Sequence, residues 1–139
     1  MDQNVFFFLA AIFIIGGLLF ALMAISKKSP RPLDVSRYQE SWLKIEGQLK
    51  KDEVSSYSLA VINADKLLDR ALQERAYNGK TMGERLKSAR DKFKSNDAVW
   101  SAHKLRNRIA HEQDVKVEYE ATKRALVAFK QALRDLGAI

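Results

Sequence analysis

The chain has no cysteine, only two histidines and two prolines, and no charged side chain between Gln3 and Ser26. Without cysteine there is no disulfide, no thiol nucleophile and no Cys-type zinc site, which fits a reducing compartment. Two histidines without a carboxylate cluster supply no ligand set, so no metal and no other cofactor is expected. A Gly-rich phosphate loop, a G-x-S-x-G elbow and an H-E-x-x-H pair are all missing. No stretch alternates with period 2 for long enough to form a strand, and there is neither an internal repeat nor a low-complexity tract.

What the uncharged segment does contain is apolar. Val5 to Ile25 is 21 residues with five Phe and a Gly16-Gly17 pair. As a helix it would reach about 31 Å, enough for a hydrocarbon core of about 30 Å. A cleaved leader would start with basic residues and carry a shorter apolar core. The start here is Met1-Asp2-Gln3-Asn4, and Ser26-Lys27-Lys28 follows directly, so a retained single-pass anchor is expected. Basic residues beside a span stay on the cytoplasmic side. Lys27, Lys28 and Arg31 therefore place the C-terminal part inside the cell, at its membrane. With no ionisable group in it, the span has nothing with which to relay protons or ions.

Three regions follow: residues 1–25 as tail and span, 26–33 as a basic linker broken by Pro30 and Pro32, and 34–139 as a helical domain. Asp34 or Ser36 can cap a helix to about Lys50, with Tyr38, Trp42, Ile45 and Leu49 inward. A second helix, from about Asp52 to Tyr77, carries Tyr57, Val61, Ala64, Leu68 and Ala71 and should stop at Asn78-Gly79. Thr81 and Glu84 match a capping box for a third, reaching about Lys94. Asp97 is placed to cap a fourth, with Ala98, Ala102, Leu105 and Ile109 on one side, fraying after His111. The fifth runs from about Val117 to Leu136. The expected fold is all-α, an N-terminal transmembrane helix followed by an up-and-down bundle of four to five helices.

One stretch can carry chemistry: His103-Lys104-Leu105-Arg106-Asn107-Arg108-Ile109-Ala110-His111-Glu112. Asn107 and His111 are i,i+4 neighbours, whereas Arg106 and His111 lie about 140° apart around an ideal helix. They can meet across a two-fold dimer axis or where the helix loosens. Arg106-Asn107-Arg108-Ile109-Ala110-His111 resembles the R-x4-H motif of the HEPN family, in which a polar residue follows the Arg. The resemblance covers the soluble domain in helix order, although an anchor departs from the family's toxin members. It implies a four- to five-helix bundle, a homodimer with a composite cleft, and binding of RNA or nucleotide. In active members it implies metal-independent endoribonuclease activity.

Such cleavage needs a base for the ribose 2′-OH and a cation on the phosphate, leaving a 2′,3′-cyclic phosphate. His111 suits the base, Arg106 the phosphate clamp, and Asn107 the residue that orients either. Arg108, Lys104 and His103 are candidate RNA or phosphate contacts. Each also has a plain structural reading: His111 against the helix dipole, Arg106 in an ion pair, His103 in packing.

All 24 basic residues follow the span, with 16 of the 17 acids. From Lys80 to Arg108 there are nine basic residues against three acidic ones. A basic stretch beside a phosphate site suits an RNA backbone. The alternative is a non-catalytic interaction or scaffolding domain with a basic face toward lipid or a protein partner. Trp100 can stack on a base, although core or interface is its commoner use.

Overall fold

In the computed structural model, which describes residues 2–26 and 29–139, the chain is all-helical, with no strand among the described residues. Helix α1 is Gln3–Ile25, 23 residues or about 34 Å long at 1.5 Å per residue. None of its residues is buried by the rest of the chain. Its Phe, Leu and Ile side chains stand exposed on every side, which sets it apart from a core helix of a soluble domain. It is long and apolar enough to cross a bilayer. Lys27 and Lys28, on which the orientation argument rests, lie outside the described residues.

The bundle is built from α2 (Val35–Gln48), α3 (Val54–Glu74), the short α4 (Met82–Ser88), α5 (Asn96–His111) and α6 (Tyr119–Asp135). Helix α3 lies at the centre and packs against each of the other four. Its apolar stripe is buried throughout, and Val61, Leu68 and Leu72 meet Phe129 and Leu133 of α6 and Leu86 of α4 in the core. Full burial of each such side chain contributes about 1.5–3 kcal/mol. Long helices consecutive in the chain run antiparallel, so α3 and α6 start at the same end. At one end Tyr57, near the start of α3, packs on Tyr119, which begins α6, with ring centroids 5.6 Å apart. At the other, the backbone N–H of Arg31 donates to the carbonyl of Glu74, the last residue of α3, at 2.9 Å.

Helix ends follow local chemistry, with several departures from expectation. Asp34 caps α2 by accepting from the Arg37 N–H at 3.2 Å. The α3 terminus is made by Ala76, at φ +60, with the Tyr77 N–H reaching back to the Leu72 carbonyl, and not by Asn78-Gly79. Gly79 instead lets the loop close over the start of α4, since a Cβ there would lie 2.7 Å from the Arg85 backbone nitrogen. Thr81 caps α4 as expected, accepting from the Glu84 N–H, but Glu84 takes the Lys80 N–H rather than that of Thr81.

Helix α4 also stops at Ser88 instead of Lys94. A 3-10 turn at Arg90–Lys92 and an extended Phe93 follow, which brings Ala89 and Phe93 into the core. Helix α5 starts at Asn96, one residue before the cap expected at Asp97, so that carboxylate sits in the first turn and favours the helix dipole. Gly137, at φ +73, ends α6.

Candidate functional site

The buried face of α5 is rotated from the expected one. Val99, Ala102 and His103 are buried, while Ala98, Leu105 and Ile109 are only half-buried. The rotation follows from what α3 offers opposite: a carboxylate, Asp65, in the middle of its inward face. Its side chain is 4% exposed. A buried carboxylate must be paired and hydrogen-bonded, and α5 supplies the partners.

His103 Nδ1 lies 2.8 Å from Asp65 Oδ1, so Nδ1 carries the proton and donates to the carboxylate. Its other nitrogen, Nε2, is then free to accept from the Asn107 amide at 3.3 Å. Arg106 Nε approaches the second oxygen, Asp65 Oδ2, at 3.3 Å. That buried N–H is not aligned for a hydrogen bond, so the contact is one of charge. Arg106 Nη1 donates to Asn107 Oδ1 at 3.1 Å. The four side chains close a loop: Asp65 holds His103 and Arg106, and Asn107 joins the same two from the other side. Trp100 covers the histidine edge-on, with centroids 5.9 Å apart, and reaches Gly83 of α4.

This arrangement assigns different surroundings to the residues singled out in the sequence. Arg106 and Asn107 come together, and His103 joins them in the core with both ring nitrogens engaged. Arg106 keeps 28% of its side chain open to solvent, and its Nη2 group makes no hydrogen bond among the described residues. His111 is exposed at the last residue of α5 and makes no side-chain hydrogen bond or ion pair among the described residues. Asn107 orients Arg106 and His103, not His111. Lys104 and Arg108 are exposed, and Arg108 pairs loosely with Glu112 at 3.5 Å. Among the described residues no group of His, Asp or Glu could hold a metal ion.

Asp65 is the member that the reading of the sequence passed over. It sits one residue after Ala64, four after Val61 and three before Leu68, which puts it on the inward side of α3. A lone acid on an apolar stripe was the available signal.

Chemically, the site offers a guanidinium fixed from behind by a carboxylate and an amide, with one edge open. Such a fork matches the geometry of a phosphate. His103 cannot serve as a base while both of its nitrogens are occupied. Within a single chain, His111 stands about 7.5 Å further along the helix axis from Arg106.

Compared with protein-family models, with curated proteins and with solved structures, the chain matches none.

Proposed function

We propose that this protein is a membrane-anchored helical domain of HEPN type that binds RNA by its phosphates at Arg106, with the bundle on the cytoplasmic side. The observation that carries the reading is the support of Arg106 by Asp65 and Asn107, which leaves its Nη2 edge open. Ordering a guanidinium in advance lowers the entropic cost of binding a phosphate. Lys104 and Arg108, exposed on the same helix, add charge for the neighbouring backbone. The apolar α1 provides the anchor.

Cleavage is a further step. It requires His111 as base, and the separation of His111 from Arg106 on one helix makes a homodimer the competent form, with each chain supplying one of the two groups. A second reading is binding without cleavage, favoured by the absence, among the described residues, of any side chain that orients His111 within one chain. General bases are commonly held by such a partner.

The test is to purify the full chain in detergent and incubate it with a mixed RNA pool in EDTA, beside Arg106→Ala and His111→Ala. Retention and cutting by the wild type, with cutting lost in both variants and 2′,3′-cyclic phosphate ends on the products, establish the nuclease. Retention that weakens only in Arg106→Ala establishes the binding module. A folded wild type that does neither rejects the proposal in favour of a scaffold.

A further inference from the structure

Residues 26–30, five in all, separate the end of α1 at Ile25 from Arg31, whose backbone is fixed to the end of α3. Fully extended, they span no more than about 20 Å, and the headgroup layer occupies the first several ångströms of that distance. Leu33 is half-buried in the core, so the chain cannot peel away from the bundle at this point without exposing it. The end of the bundle formed by the start of α2, the end of α3 and the loop to α4 is therefore tethered next to the bilayer.

That end carries exposed positive charge. Arg31, Arg75 and Lys80 are exposed and make no ion pair among the described residues. Of the acids around them, Glu74 pairs with Arg70 at 3.1 Å and Asp69 with Arg85 at 2.7 Å. Glu84 and Asp34 accept backbone N–H groups and keep their charge, so this end is net positive and not free of acid. The opposite end, holding Tyr57, Tyr119 and His111, lies about 25 Å away along α3.

We infer that the end of the bundle bearing Arg31, Arg75 and Lys80 is an interaction surface for anionic phospholipid headgroups, seating the domain upright with the His111 end turned away from the membrane. The inference rests on α1 being a membrane anchor. Each cation near an anionic bilayer strengthens association by about fivefold. Three cations on a short tether suffice to orient the domain while leaving the far end free for a large polyanion. Without this seating, the basic residues of α5 would be drawn to the same headgroups and compete with RNA.

Because the chain has no cysteine, single cysteines at Asn78 and Gln113, both loop positions at opposite ends, can carry a fluorophore in the full chain. The proteins are placed in nanodiscs of phosphatidylcholine alone or mixed with phosphatidylglycerol, each with a trace of nitroxide-headgroup lipid as quencher. The label at Asn78 is expected to be quenched more strongly with phosphatidylglycerol, and the label at Gln113 to be unaffected. Arg75→Glu with Lys80→Glu should remove the phosphatidylglycerol dependence, and so should high salt. Equal quenching at both ends, or quenching at Asn78 indifferent to phosphatidylglycerol and to the double variant, overturns the inference. A chain that never enters the disc and is released by alkaline wash removes the anchor itself, and the inference with it.

Discussion

His103 on α5 donates through Nδ1 to Asp65 on α3 at 2.8 Å, joining residues 38 apart in sequence inside an otherwise apolar contact. Asp65 also faces Arg106, so one carboxylate aligns the His103 ring and offsets the Arg106 charge on the helix that bears the candidate motif.

Asp65→Ala leaves the buried Nδ1–H of His103 without its acceptor and the partly exposed Arg106 charge without its counter-charge. Leaving a buried donor without its acceptor costs about 1–3 kcal/mol. Denaturant unfolding followed by circular dichroism should show an unfolding free energy lower by that amount. Asp65→Asn, which keeps an acceptor, should lose less. A loss under about 1 kcal/mol for Asp65→Ala would mean that the network contributes little to the fold.

Arg106→Lys preserves charge but not the planar fork. RNA affinity is expected to fall by about tenfold, the value of one lost bidentate contact. Lys104→Ala and Arg108→Ala should instead weaken binding of all sequences alike and each reduce the salt slope by about one. Filter binding across a salt series distinguishes the two behaviours. Unchanged slopes in both variants would place the RNA backbone elsewhere.

The two ends of the α3–α4 loop respond oppositely to a change in the smallest side chain. Ala76 holds a left-handed conformation, which costs an L-residue about 1–2 kcal/mol, so Ala76→Gly should stabilise by about 0.5–1 kcal/mol after the added freedom of the unfolded chain. Gly79→Ala should destabilise, because its Cβ would press on the Arg85 backbone. Thermal unfolding of the two variants, expected to move in opposite directions, tests both assignments.

Glu46 of α2 accepts from Lys130 of α6 at 2.7 Å. Burial by itself would raise this carboxyl, but the Lys130 ammonium, the Trp42 indole and the Arg134 charge together hold it below the usual carboxylate range. A folded value below the unfolded one means stability present above the unfolded value and lost as pH falls through the folded one. With both groups partly exposed, the contribution is about half a kcal/mol. Glu46→Gln should show that loss at neutral pH and none at about pH 3. Equal losses at both would indicate packing rather than charge.

Much of the architecture was legible along the chain. The apolar run of α1, the inward stripes of α2 and α3, the Asp34 and Thr81 caps and the all-helical class depend on neighbours within about a turn, and such patterns can be read in one dimension. Where expectation and structure parted, at Ala76, Ser88 and Asn96, the helix ends yield to packing: Phe93 must reach the core and Gly79 must pass close to α4, which local signals do not specify.

The motif shows the same division. Its residues and their spacing were plain in the sequence, as was the separation of Arg106 from His111 around one helix. Which of them lies inside was not, because the rotation of α5 is set by a carboxylate on another helix. Only the packed bundle decided that Asn107 orients Arg106 and His103 and that His111 stands open at the helix end. The sequence determined which groups are available and where helices form. The tertiary structure decided which groups meet, because a buried charge such as that of Asp65 must find its partners wherever the fold brings them.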